Sequence, residues 1–332
     1  MSLRFPTFRG FATSPASGAS LVILPGLIWG ASFLFIAEGL EAVPPNGVTF
    51  LRIAIGFAVL SLFPQVRRPI QRSDHFGVFG LGVLWMAFPF SMFPFAEQHV
   101  SSATAGMLNG ALPLFAVTVA SALARRWPAR SVLWGLAVGI AGGVLIAAPS
   151  MGNATDSRWG VLLILAALVS YGFAVNLARP LQQRNGALPV VWRALGWALL
   201  LTAPLGVPAV LHARWSPRPV LSLLALGALG TGVALVLMAQ AVGRMGAARA
   251  SAATFIIPPV AVVLGVIVRD ESVPWIAIAG CALCLLGAWI IQRGNAAPAR
   301  SVDRTTSSPT ARMPLAPLRV STDAAAVRVP TP

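Results

Sequence analysis

The chain has 332 residues, 57% of them hydrophobic and 10% charged, and a formal net charge of +15 carried by Arg with no Lys. A soluble domain carries about 25% charged residues, so the positive charge is not that of a soluble nucleic-acid binder. The arginines sit between long apolar stretches and in the tail, where the positive-inside rule accounts for them.

Ten apolar segments follow in chain order, near 20–40, 46–63, 77–95, 102–124, 131–149, 159–178, 190–210, 219–241, 248–268 and 273–292. Each is long enough to cross about 30 Å of hydrocarbon as a helix. The first is too long for a signal peptide and lacks a cleavage site, so it is read as a spanning helix. Residues 1–19 and 293–332, rich in Arg, Ser, Thr, Pro and Ala, are expected to be disordered tails. The fold class expected is all-α: a polytopic membrane protein of ten transmembrane helices.

With the N-terminus in the cytoplasm, the inner connections receive Arg67, Arg68, Arg72, Arg125, Arg126, Arg130, Arg179, Arg184, Arg244 and Arg249. The outer ones keep Arg158, Arg214, Arg218 and Arg269. That asymmetry places both termini on the cytoplasmic side.

Residues 81–146 overlay residues 226–291 without a gap, at a constant offset of 145. Gly82 meets Gly227, Pro113 meets Pro258, Gly135 meets Gly280 and Gly142 meets Gly287. Such residues mark special backbone positions, which makes their register informative. A gap of three residues extends the match to Trp29-Gly30 and Tyr171-Gly172. Two five-helix repeats are expected, 20–149 and 159–292, and an odd number of helices inserts the second upside down. Arg126 overlays Glu271, one at each face of the membrane.

The strings WGASFLF at 29–35, PPNGVTFLR at 44–52, GALGTGVALVLMAQAVGRMGAARASAATFIIPPVAVVLG at 227–265 and RDESVPWIAIAGCALCLLGAWI at 269–290 resemble the drug/metabolite transporter superfamily, in its EamA-like branch of two repeated domains. The resemblance spans about 20 to 292. It implies export of amino acids, related metabolites or toxic compounds. Arg126 departs from it, since the family has Glu there.

Candidate site residues come from polar and aromatic groups inside apolar helices. Pro113 and Pro258 are expected to kink segments four and nine and to free the carbonyls of Asn109 and Thr254. Trp29, Trp85 and Tyr171 lie away from the interfacial belts; as an aromatic wall they would be joined by Asn176, Thr231 and Gln240, and core packing explains them equally well. Arg52 is expected to pair with Glu38 or Glu41, with binding of a substrate carboxylate as the alternative, while Arg193 snorkels from a helix end. Glu38, Glu97 and His99 all read as interfacial; Glu38 is the candidate proton-coupling residue, with uncoupled facilitated transport as the alternative. Cys281 and Cys284 overlay Leu136 and Gly139 and read as packing residues.

These residues describe an inner-membrane carrier of a small organic metabolite working by alternating access. Its partners would be a small-molecule substrate and the lipid bilayer, with protons a candidate coupling ion and no nucleic acid. A membrane-embedded enzyme acting on a lipid-linked substrate is the alternative, but it needs clustered His, Asp, Glu or Cys. With 3 His and 9 acids scattered along the chain, no catalytic residue, metal or cofactor is expected.

Overall fold

The computed structural model describes residues 15–153 and 155–296, and among them every regular element is a helix. Among the described residues, nine helices are long and apolar enough to cross a membrane. We label the spans α1 (Ala19–Leu40), α3 (Arg72–Ala96), α4 (Ser102–Ala124), α5 (Arg130–Ser150), α6 (Ser157–Asn185), α7 (Ala187–Leu211), α8 (Pro217–Met245), α9 (Ser251–Arg269) and α10 (Trp275–Gly294). The tenth apolar helix, α2 (Pro45–Ser61), has only 17 residues. At 1.5 Å per residue it is about 26 Å long, and the prolines at its start fix its beginning without costing a hydrogen bond. The expected tails lie largely outside the described residues, although the first helix begins at Pro15 and the last continues to Ala296.

The repeats are interleaved, and their closest helix contacts recur in pairs. A Cβ on Gly30 in α1 would lie 2.9 Å from the Ile257 carbonyl and against Val260; one on Gly172 in α6 would lie 2.9 Å from the Phe115 carbonyl. Phe115 and Val260 are mates at the offset of 145. The first helix of each repeat therefore rests on the fourth helix of the other. Likewise Gly82 in α3 abuts the Ala194 carbonyl of α7, while Gly227 in α8 abuts the Arg52 carbonyl of α2.

The last helices of the two repeats, α5 and α10, meet backbone to backbone. Gly135 faces Gly287 and Gly142 faces Gly280, an antiparallel pair built from the same positions in both copies. In hydrocarbon, where apolar burial does not drive helices together, small residues permit this close approach and its dispersion gain. Cys284 is fully buried in the same seam and its sulfur is free. Large side chains such as Ile140, Val144, Leu200, Leu205 and Ile267 are exposed, as faces turned to lipid require.

Two local departures recur in both repeats. α3 and α8 contain wide π-helical stretches at matching positions, Gly82–Ala87 and Leu226–Val233. The prolines do more than kink their helices. α4 divides into Ser102–Asn109 and Leu112–Ala124, and the second half of α9 starts at Ile257. Pro113 and Pro258 are each the second residue of a new helix, where the missing N–H would have had no partner.

The seam is open to a direct test. A side chain at Gly142 would collide with the Gly280 carbonyl, whereas Gly143 next to it faces open space. Gly142→Leu should destabilise the protein by about 1–3 kcal/mol or more and lower its melting temperature in detergent. Gly143→Leu should melt like wild type; equal loss in both would remove the seam from the account.

Candidate functional site

A π turn leaves carbonyls without their usual i+4 donors, and inside a bilayer they must be satisfied from within the protein. The donors come from the other repeat. Trp29 of α1 donates its indole N–H to the Gly230 carbonyl at 3.0 Å. Ser170 of α6 donates to the Leu84 carbonyl at 2.7 Å. Ser170 adjoins Tyr171, the repeat mate of Trp29, and Leu84 adjoins Trp85, the mate of Gly230, so the two bonds occupy neighbouring positions in the repeat overlay.

Arg52 reaches this centre from α2. It is 7% exposed; its Nε donates to Thr231 Oγ1 at 3.1 Å, and its guanidinium lies 3.8 Å over the Phe90 ring. Thr231, fully buried within the π turn of α8, donates in turn to the Leu226 carbonyl at 3.4 Å. Tyr171 lies within the electrostatic reach of Arg52, and its ring is 6.2 Å from that of Phe93. Trp29, Thr231 and Tyr171 thus gather around Arg52 on four helices.

The remaining candidates lie elsewhere or are already engaged. Asn176 donates from Nδ2 to the Ala116 and Gly172 carbonyls at 3.0 and 2.8 Å, which ties α6 to α4. Thr254 donates to the Ser251 carbonyl at 2.7 Å, within its own turn. Asn109 is half-buried at the break in α4, Trp85 is half-buried against α7 in the π turn of α3, and Gln240 is exposed. The expected pairing of Arg52 with Glu38 or Glu41 is replaced by its bond to Thr231, because those two acids have other partners.

Glu38 is 2% exposed at the end of α1 and pairs with both Arg218 and Arg269; Arg269 also binds Glu41 at 2.8 Å. Glu271, 3.9 Å from Arg269, extends this cluster and caps α4. Its Oε1 accepts from the Ser102 N–H at 3.0 Å and the Ser102 hydroxyl at 2.8 Å, and its Oε2 from the Ala103 N–H at 2.9 Å. The next N–H, on Thr104, is served by Ser101 Oγ at 3.1 Å. A carboxylate at a helix start satisfies orphan donors and complements the helix dipole. Beneath this cap the first half of α4 packs on the second half of α9, with Gly106 against Ala261 and Ala103 against Gly265.

The other end differs in chemistry while keeping the same backbone. Arg125 and Asp270, repeat mates, both adopt the left-handed conformation, at φ of 50° and 53°. The turn presents Arg126 where its mate presents Glu271. A guanidinium has no acceptor, so Arg126 cannot cap a helix start. There the second half of α4 packs against α5, α6 and α10, whereas the first part of α9 packs against α1 and the short Ala247–Ala250 turn that precedes it. A cleft of about 360 Å³ lies at this end of α4, lined by Thr118, Ser121, Arg125, Arg126, Trp127 and neighbours.

The model of the EamA-like transporter family matches residues 16–148 and again 158–293. The chain belongs to the EamA-like transporter family. It is 29% identical over 279 residues to a probable terminal-alkyne amino-acid exporter of Streptantibioticus cattleyicolor, covering 82% of this chain and 92% of that protein. It is 27% identical to the uncharacterized transporter YcxC of Bacillus subtilis, covering 80% and 89%, and 27% identical to the uncharacterized inner membrane transporter YedA of Escherichia coli K12, covering 76% and 84%. A solved crystal structure with 23% identity matches it with a TM-score of 0.56, covering 83% of this chain and 96% of the other, and shares its fold.

As an EamA-like transporter the chain is a multi-pass membrane protein that moves a small-molecule substrate. Sequence reasoning missed the Glu38–Arg218–Arg269 cluster and the Glu271 cap. The pairing of Arg126 with Glu271 in the repeat overlay was the signal for the second. Ser102 and Ala103 carried none, because their donors are backbone or lie in a common hydroxyl.

The cap makes a measurable prediction. Ala103 is fully buried beneath it, so a cysteine at 103, in a background without Cys281 and Cys284, should react slowly with a soluble thiol reagent. Adding Glu271→Ala removes three charge-assisted bonds, each contributing about 1.5–3 kcal/mol, and labelling at 103 should accelerate several-fold. Unchanged labelling would show that packing alone closes this end.

Proposed function

We propose that this transporter exports an amino acid or a related small zwitterion across the inner membrane by alternating access. The observation that carries this reading is the difference between its ends: α4 and α9 are packed and capped by Glu271 at one, and take separate neighbours at the other. Inverted repeats give one set of contacts two mirror-related arrangements, and a carrier alternates between them. The Arg bias of the connections supports cytoplasmic termini, with the Glu38–Glu271 end outside. Two of the arginines at that end, Arg218 and Arg269, are already paired with Glu38. On this orientation the structure is closed outward and released inward, the state that admits a substrate for export.

The substrate class rests on the centre and on kinship. Arg52 is a buried cation whose bond to Thr231 uses only Nε, and a carboxylate is its natural complement. Trp29, Tyr171 and Phe90 supply apolar and aromatic surface beside it. The named relative from S. cattleyicolor is described as an amino-acid exporter, which fits that combination. Protons are the candidate coupling ion. Glu38, held between two guanidinium groups, is read as part of the outer closure, since its charge is already matched.

Two measurements test the reading. Single cysteines at Gln98 and Ser216 should react with an impermeant reagent added outside intact cells, and those at Pro69 and Pro128 should not; the reverse pattern overturns the orientation. In a thermal-shift screen of the purified protein, an apolar amino acid at a hundred times its dissociation constant should stabilise the fold by about 2.7 kcal/mol. Arg52→Gln should abolish that shift. Stabilisation by cationic drugs and by no amino acid would reassign the substrate class.

A further inference from the structure

Glu97 is the acid that neither the core nor the outer cluster accounts for. It ends α3, its backbone N–H bonding to the Phe93 carbonyl at 2.9 Å. The residue as a whole is partly exposed, yet both carboxyl oxygens are sealed from solvent and neither has a hydrogen-bond partner. Among the described residues the buried acids Glu38 and Asp74 are matched, by two arginines and by Arg184 and Asn185, and the carboxylate of Glu271 meets three donors. An ionised carboxylate left dry and unpaired carries a penalty of several kcal/mol, which a neutral acid largely escapes.

The surrounding charges decide what Glu97 does. Arg52 faces it from α2, and Arg269 and Glu271 from the end of α9; Tyr171, on α6, shares the field of Arg52, and His99 lies two residues further along the same connection. Burial, then the nearby Glu271 carboxylate, push the Glu97 acid well above the ordinary carboxylate range, and Arg52 and Arg269 oppose this less strongly.

We propose that Glu97 is the proton-carrying group of this transporter, holding its proton while the Glu271 cap is closed and releasing it to water as that end opens. The O–H bond of the acid breaks, the proton leaves to solvent and the electron pair stays on the carboxylate. The geometry couples the two events. An ionised Glu97 would repel Glu271, which caps α4, and would draw Arg52 away from Thr231. Deprotonation therefore weakens the contacts that close the outer end, and by reciprocity opening that end favours proton loss. The proposal deepens the carrier reading and rests on it for its physiological meaning, while its test needs no substrate.

Infrared spectra of the full-length protein at neutral pH should show the carbonyl stretch of a protonated carboxylic acid. The band should persist in Glu38→Gln, vanish in Glu97→Gln and return in Glu97→Asp. In the 103-cysteine background, raising the pH from neutral to alkaline should accelerate labelling about five-fold or more relative to the same protein carrying Glu97→Gln. A wild-type protein without the band, a band that survives Glu97→Gln, or equal acceleration with and without Glu97 would each overturn the proposal. The carrier reading would survive any of these, since it stands on the thermal-shift screen.

Discussion

A chain inside hydrocarbon has no water with which to satisfy a backbone carbonyl, and most of this structure follows from that constraint. Four of its helices are irregular: α3 and α8 through π turns, α4 and α9 through proline-marked breaks. Each irregularity frees polar backbone in the membrane interior. The freed carbonyls of Leu84 and Gly230 are met by Ser170 and Trp29, and in both cases the donor belongs to the opposite repeat. Neither half could adopt these turns unaided without leaving polar groups bare. The interleaving of the repeats is thus a requirement of the irregular helices at their centre.

The same constraint explains why Arg52 can be buried. Its cost is offset by a hydroxyl acceptor, Thr231, and by the face of Phe90, both fixed by neighbouring helices. Glu271 plays the complementary part at the periphery, where it supplies acceptors to a helix start. Its mate Arg126 emerges from a turn of the same backbone shape and can supply none. One substitution between otherwise equivalent positions makes the two ends of a pseudo-symmetric molecule energetically unequal. A carrier needs such a difference if one of its two states is to be the resting one.

The architecture was legible because it is written in residues with few backbone options. Registered glycines and prolines disclosed the repeat, and hydropathy with Arg placement disclosed the spans. Those glycines then proved to be the points where helices touch, as at Gly82, Gly142 and Gly227. The centre was half legible. Trp29, Tyr171 and Thr231 stood out as polar or aromatic groups in apolar helices, but the same rule selected Asn176, which ties two helices together, and exposed Gln240. The acids were hardest to read. Partners of Glu38 and Glu271 lie up to 231 residues away in sequence, and nothing local distinguished sealed Glu97 from an interfacial acid.

The seam between α5 and α10 carries a further consequence. Its two surfaces are the same surface, Gly135 on Gly287 and Gly142 on Gly280, joined in antiparallel. An isologous contact of that kind needs only one kind of subunit. A half-length ancestor able to insert in either direction could have assembled with an inverted copy of itself through this seam. Fusion of two genes would then have freed each half to diverge, and the exchange of a guanidinium for a carboxylate at positions 126 and 271 is a change that no true homodimer could make on one side alone.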